Sequence, residues 1–262
     1  MDLGLKGKGV IVLASSAGLG KGIACEFARE KAQVMLFSSN EEKLIAAQQE
    51  IEAETGNRPS YIVGDMTKAE DIKRVVTVAA EKFGNIYALV NNSGGPKAGN
   101  FDAFDDDIWQ QAYDLTLLSY IRAVREVLPY MRKAGVGRIV CSTSSSVKTA
   151  LDNLILSNTF RCGVVGLAKS LSQELGKDNI LVNVIGPGRI RTERIDVLDQ
   201  FRAEKTGKTI EEMQAAHLKN IPLGRYGDPA EYGKLAAFLC SEANTYITGQ
   251  TMLADGGQVK AI

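Results

Sequence analysis

The chain has 262 residues, 45% of them hydrophobic and 24% charged, an ordinary balance for a soluble globular protein. Lys+Arg and Asp+Glu both number 31, so no whole-chain field draws it to nucleic acid or anionic lipid, and no basic nucleic-acid footprint is present. Cys25, Cys141, Cys162 and Cys240 are far apart with no C-x-x-C, which excludes a disulfide framework or zinc knuckle and suits a reducing compartment.

In chain order, the first apolar run covers residues 10–14, too short for a signal peptide or a membrane span. No later run reaches about 18 apolar residues, so a cytoplasmic protein is expected, with no membrane partner. Strand-length runs recur at 9–13, 33–37, 60–63, 86–90, 138–141, 180–184 and 250–253. Helical spacing fills the gaps, as in Ile23, Phe27 and Ala28, and in Leu117, Ile121, Val124 and Leu128. Strand–helix alternation predicts parallel strands with crossovers: one doubly wound Rossmann-type α/β domain over 1–262, a seven-stranded parallel sheet with helices on both faces. Gly56, Gly84 and Gly135 end helices where a left-handed residue is wanted, and Asp228-Pro229 starts one. Residues 189–221 interrupt the alternation and are expected to form a lid or substrate loop. His217, the only histidine, would have to serve any Ser-His-Asp triad or His-containing metal site; a solvated loop position is expected instead.

After the first strand comes Leu13-Ala14-Ser15-Ser16-Ala17-Gly18-Leu19-Gly20, opening a helix at Lys21. Small residues there let the backbone approach a pyrophosphate, and the helix start offers free N–H groups. Gly22 follows Gly20-Lys21 where a P-loop would carry Ser or Thr, so no magnesium ligand is provided. Asp65, in Gly64-Asp65-Met66-Thr67, can accept from an adenine amino group, and Asn91-Asn92-Ser93-Gly94 ends the fourth strand. Ligands of such sheets sit beyond the carboxyl ends of the strands, so these residues point at one crevice.

Together these motifs resemble the short-chain dehydrogenase/reductase family over nearly the whole chain, nearest its 3-oxoacyl carrier-protein reductase-like members. The glycine turn resembles T-G-x-x-x-G-x-G, with Leu13-Ala14 at its first two positions, and Asn91 to Gly94 resembles N-N-A-G. Asn183 with Pro187-Gly188 resembles V-N-x-x-x-P-G. Pro222-Leu223-Gly224-Arg225, Ile247-Thr248-Gly249 and Asp255-Gly256-Gly257 are also typical. The resemblance implies cofactor contacts from the turn (Ser15, Ser16, Gly18, Leu19, Gly20), the end of the second strand (Ser38, Ser39) and Asp65-Met66. It implies others from Asn92, Ser93 and Gly94, from Arg161, and from Pro187, Gly188, Ile190 and Thr192 around the nicotinamide.

The family's Asn, Ser, Tyr and Lys tetrad falls on Thr116, Ser144, Ser157 and Arg161, so only the serine is kept. An aliphatic hydroxyl is a far weaker acid than a phenol, and a guanidinium does not release a proton near neutrality. Three readings follow. In the first, an NAD(P)-dependent oxidoreductase keeps Ser144 and Arg161 to stabilise the oxyanion, and protons arrive through water or a loop residue. In the second, the dinucleotide is a structural or sensing ligand; in the third, Arg161, Arg189, Arg191 and Arg194 hold a carboxylate or phosphate for other chemistry. The bland alternatives make Ser144 a strand-end cap, Ser157-Asn158 a helix cap or surface, Tyr113 and Tyr120 packing groups rather than substitute acids, and the loop arginines solvated. Phe37-Ser38-Ser39-Asn40 carries neither the acid that selects NAD nor a base, and with Ser15 and Ser16 it tilts the expectation toward NADP over NAD. The resemblance also implies a homodimer or homotetramer through helices around 105–133 and 153–177 and the C-terminal strand. Leu154-Ile155-Leu156 suggests an apolar wall for a small-molecule substrate.

Overall fold

Aliphatic runs too short to make helices become strands, and in the computed structural model all seven lie parallel. The structure describes residues 2–207 and 209–261, with the backbone alone for Phe201, Arg202 and Lys205. The strands are β1 (Gly9–Leu13), β2 (Gln33–Ser38), β3 (Ser60–Val63), β4 (Ala88–Asn91), β5 (Gly137–Ser142), β6 (Ile180–Pro187) and β7 (Thr251–Ala254). Their spatial order is β3-β2-β1-β4-β5-β6-β7, so the winding reverses between β1 and β4. The doubly wound seven-stranded sheet is therefore as expected, and strand boundaries move by only a few residues.

The connections carry α1 (Gly18–Arg29), α2 (Glu41–Thr55), α3 (Ala69–Phe83), α4 (Asp106–Tyr113), α5 (Ser119–Ala134), α6 (Ile155–Leu175), α7 (Glu193–Thr206), α8 (Ile210–Leu218) and α9 (Pro229–Leu239). Alternation along β1 splits the core in two. Val10 and Val12 join Ile23 and Phe27 of α1, Leu44 of α2 and Tyr232 of α9 on one face. Ile11 and Leu13 join Val75 of α3, Val127 of α5 and Val164 of α6 on the other. Each such side chain taken fully out of water contributes roughly 1.5–3 kcal/mol.

Local signals hold at most helix ends. Gly56, Gly84 and Gly135 close helices at φ of 69°, 78° and 67°, and Asp228 caps α9 with Pro229 in its first turn. The apolar stripe through Leu117 and Ile121 does not hold. The buried face of α5 is Tyr120, Ala123, Val124, Val127 and Met131, whereas Leu117, Ile121 and Leu128 are only half-buried. A π-helical turn over Asp114–Leu118 inserts a residue between α4 and α5. It rotates the following helix by about 100°, which a constant period cannot anticipate.

Residues 189–221 are largely helical rather than a loop. Thr192 accepts from the Ile195 amide to start α7, Gly207 ends it at φ 65°, and a Thr209–Glu212 capping box starts α8. Asp199 of α7 is wholly buried and accepts from Arg189 Nη1 at 2.6 Å and from the Tyr226 hydroxyl at 2.9 Å. This contact fastens the helical pair to the residues that follow β6 and precede α9. His217 stands on α8 with its Nε2 3.6 Å from Asp199 Oδ1, so it is not a solvated loop histidine.

Two predictions follow from these contacts. Removing the carboxylate with Asp199→Ala strands Arg189 in the interior and is expected to cost about 3 kcal/mol in urea unfolding; an unchanged midpoint would contradict it. Arg225 grips Glu231 at 2.7 and 2.8 Å, and that hydrogen bonding, with the Asp228 amide, lowers the Glu231 carboxyl from 4.5 to about 2. Its stabilisation is full above about pH 4.5 and lost as pH falls toward 2. Half-exposure holds it to at most about 1 kcal/mol, so Glu231→Gln should lower Tm by about 2–4 °C at pH 7 and leave it unchanged near pH 2.

Candidate active site

The carboxyl ends of β1, β2 and β4 open onto one groove, where the winding reverses. Ala14 and Gly18 take left-handed backbone, at φ 47° and 54°, to fold the turn beneath α1. At Gly20 a Cβ would stand 2.2 Å from the Ala14 carbonyl oxygen and 2.8 Å from Asn92 Nδ2. Asn92 Nδ2 itself donates to Leu13 O at 3.3 Å and Ala14 O at 3.2 Å, tying the end of β4 to the turn. The start of α1 has no side-chain cap, because Ala17 occupies that position, so its leading amides face the groove.

This groove encloses about 260 Å³ among Ser16, Gly18, Leu19, Ser38, Gly94 and Thr192. The acidic side chain on its rim, Glu193, is exposed and paired with Lys43 at 3.3 Å. Uncapped amides, a glycine floor and the guanidinium of Arg194 fit the diphosphate of a dinucleotide. Ser16 donates to Ser38 Oγ at 2.9 Å across the end of β2, and Ser39 is exposed beside it. Ser15, by contrast, is wholly buried: its hydroxyl donates to Val12 O at 2.7 Å and accepts from the Phe37 amide at 3.0 Å. Asp65 holds Thr67 through one oxygen, at 2.8 Å from both its amide and its hydroxyl, and Met66 is buried. Both lie past the end of β3 and outside the lining of this groove.

A second cavity of about 290 Å³ opens from the first at Leu19, Asn92, Ser93, Thr192 and Arg194. Ser144, Ser157, Arg161, Pro187, Gly188 and Ile190 all line it, with Leu151 and Leu154 as an apolar wall. Ser144 does both jobs considered for it, since its hydroxyl caps the short turn over Ser145–Val147 through the Ser146 amide while facing the cavity. Ser157 is neither a cap nor a surface residue. It is buried in the first turn of α6, and Asn158 bonds back to Leu151 instead. Thr116 is buried in the π-helical turn, its hydroxyl donating to Ala112 O at 2.5 Å, and is outside the cavity lining.

Arg161 is 6% exposed, and its Nη1 donates to the Ser142 carbonyl at 3.2 Å. The same carbonyl accepts from the Tyr120 hydroxyl at 2.7 Å. Tyr120 is sealed beneath the cavity, and burial raises its pKa although the charge of Arg161 works against that rise. Tyr113 packs on Phe160 with ring centroids 6.0 Å apart. Neither phenol reaches the cavity. The loop arginines separate: Arg189 is committed to Asp199, Arg191 is exposed outside both cavities, and Arg194, also exposed, borders both. Arg194 donates to Gly95 O at 3.3 Å and Pro96 O at 3.2 Å. Loss of water, then the charge of Arg161, lowers its pKa, yet a guanidinium stays charged at any working pH. Among the described residues, neither Arg161 nor Arg194 has a carboxylate partner.

Among the lining residues that sequence reasoning missed are Leu198, His217 and Gln258. No local pattern marks them, because each arrives through the folding of α7, α8 or the C-terminal segment over the strand ends. For the groove, Gly20→Ala is expected to weaken dinucleotide binding at least about tenfold in calorimetric titration, since its Cβ collides with backbone rather than a flexible side chain. Unaltered affinity would show that the turn is not the phosphate cradle.

The same fold occurs in known proteins. Residues 13–258 match a family model described as enoyl-(acyl carrier protein) reductase. The 3-oxoacyl-[acyl-carrier-protein] reductase FabG of Chlamydia muridarum is 32% identical over 253 residues, covering 97% of this chain and 98% of that protein. FabG of Thermotoga maritima is 32% identical over 257 residues, covering 97% and 99%. Among solved structures, L-sorbose reductase from Gluconobacter frateurii, complexed with NADPH and L-sorbose, superimposes with a TM-score of 0.94 at 29% identity, covering all of both chains. A 7α-hydroxysteroid dehydrogenase complexed with NADH and 7-oxo glycochenodeoxycholic acid gives 0.90 at 29% identity, covering 99% of this chain and 97% of that one. The chain belongs to the short-chain dehydrogenase/reductase family as a 3-oxoacyl reductase-like member.

Proposed function

We propose that the chain is an NAD(P)-dependent oxidoreductase acting on a carbonyl/alcohol substrate, with residues 1–262 as one cofactor-binding domain and 189–221 as its substrate flap. The observation that carries this is the junction at Asn92, Ser93 and Thr192, where a glycine-floored groove runs into a cavity holding Ser144, Ser157 and Arg161. When bound, the nicotinamide supplies or accepts the hydride. Pro187, Gly188, Ile190 and Thr192 would flank that ring, and Gly18 to Gly20 would hold the diphosphate.

The chain's own groups do the rest. Arg161 and Ser144 aim donors at the oxygen that gains charge, in a cavity where lost water strengthens each contact. Arg161 is anchored through Ser142, so it needs little rearrangement when that charge appears. Ser157 adds a hydroxyl from the first turn of α6, able to relay a proton but not to act as a phenol would. One observation also favours a carboxylate- or phosphate-bearing substrate: Arg161 and Arg194 face the cavity without an acidic partner.

Our preference for NADP over NAD rests on the end of β2, where Ser38, Ser39 and Asn40 offer hydroxyls and an amide and no carboxylate to repel a 2′-phosphate. Relatives divide, with NADPH in the sorbose reductase and NADH in the steroid dehydrogenase. No described helix is long and apolar enough to cross a membrane; a cytoplasmic homodimer or homotetramer is our reading from family likeness. Half-exposed Leu117 in the π-helical turn, Leu128 on α5 and Val165 on α6 offer apolar surface for such a contact.

Calorimetric titration of the full chain with both oxidised dinucleotides tests the proposal. NADP+ is expected to bind about tenfold or more tightly than NAD+, a gap of about 1.4 kcal/mol. Tighter NAD+ would reverse the preference, and an unmoved Tm at saturation with either would remove the function itself.

A further inference from the structure

A carbonyl reduced to an alcohol needs a proton as well as two electrons, and the substitutions at 157 and 161 remove the usual supplier. The cavity's described lining contains no Asp, Glu, Lys, Cys or Tyr. Its groups able to exchange a proton are serine and threonine hydroxyls, three guanidiniums and one imidazole, that of His217. Hydroxyls and guanidiniums keep their protons at neutrality; the imidazole alone changes charge between about pH 5 and 8.

Resting on the oxidoreductase reading above, we propose that His217, oriented by Asp199, gives the proton to the substrate oxygen in reduction and takes it back in oxidation. The ring lines the cavity from α8, is 18% exposed, and has Nε2 3.6 Å from Asp199 Oδ1. Asp199 in turn is fixed by Arg189 and Tyr226, so it is a positioning residue. The other charges facing this space are Arg161 from α6, Arg189 after β6 and Arg194 from α7, while Glu211 and Glu212 on its own helix and Lys219 just past its end are exposed. The step balances: the carbonyl π pair becomes an O–H bond, an imidazolium N–H breaks, its electron pair stays on the ring, and solvent restores the ring's proton. The overall change is carbonyl plus NAD(P)H plus H+ to alcohol plus NAD(P)+. Because α8 belongs to the flap, the acid arrives only with the flap in place, which keeps the proton source beside the substrate rather than on the cofactor's floor.

The sole histidine gives a one-signal experiment on the tag-free full chain. With labelled histidine, its C2–H resonance is expected to titrate between about pH 5 and 9 and to move when NADP+ is added. NADPH-dependent reduction of L-sorbose or acetoacetyl-CoA should decline above the same midpoint. His217→Gln should lose about 10²-fold or more in kcat together with that alkaline limb, with NADP+ affinity and Tm retained. Asp199→Asn should keep NADP+ affinity while lowering kcat and displacing the limb. A resonance that neither titrates nor responds to NADP+ would overturn the proposal. So would His217→Gln with kcat within about twofold of the parent and the same pH profile. A parent chain that binds NADP+ yet reduces neither probe would remove the oxidoreductase reading and this proposal with it, whereas an active parent with an equally active His217→Gln removes this proposal alone.

Discussion

Every functional feature of this protein depends on the strands running in one direction. Parallel strands require a crossover at every connection, so each strand delivers its carboxyl end to the same edge. The turn after β1, Ser38, Asn92 and Ser93, Ser144, and Pro187 with Gly188 come from five strand ends, yet they border two joined cavities. The reversal between β1 and β4 keeps the helices that follow those strands on opposite faces, which leaves the space between them open. Small side chains and missing Cβ atoms at that reversal are steric requirements as much as functional ones, as the Ala14–Gly20–Asn92 contact shows.

Ser157 and Arg161 sit on this shared fold. Ser157 and Arg161 are one turn apart on α6 and both are buried against the cavity, so the helix still presents its first turn to the site. What changes is the character of the groups. Where the family resemblance implies a phenol and an ammonium, this chain carries an aliphatic hydroxyl, a far weaker acid, and a guanidinium that keeps its charge at neutral pH. Tyr120 cannot substitute, because it is sealed beneath the cavity and bonded to the Ser142 carbonyl that also anchors Arg161.

The helical pair over residues 189–221 is held by a buried ion pair rather than by apolar packing alone. Arg189 and Asp199 are nearly or wholly out of water, and such a pair is justified by geometry and by the cost of breaking it rather than by net stability. Tyr226 and His217 converge on the same carboxylate, so α7, α8 and the segment before α9 share one polar anchor.

Local sequence determined the parts of this protein whose cause is local. Alternating apolar runs set the seven strands, glycines at 56, 84 and 135 ended helices through their free φ, and the small residues at 13–20 marked a tight strand-to-helix turn. Family likeness then located Ser144, Ser157 and Arg161, which the structure does bring to one cavity. Tertiary structure alone decided the rest. It assigned Ser15 to the sheet rather than the groove, because the Phe37 amide needed an acceptor, and it left Thr116 inside a π-helical turn that no fixed period reveals. It also turned 189–221 from a supposed loop into two capped helices and carried Arg194 and His217 to the cavity. Periodicity and capping read neighbours a few residues apart, whereas a side chain's partner some twenty to a hundred residues away is fixed only when the chain closes on itself.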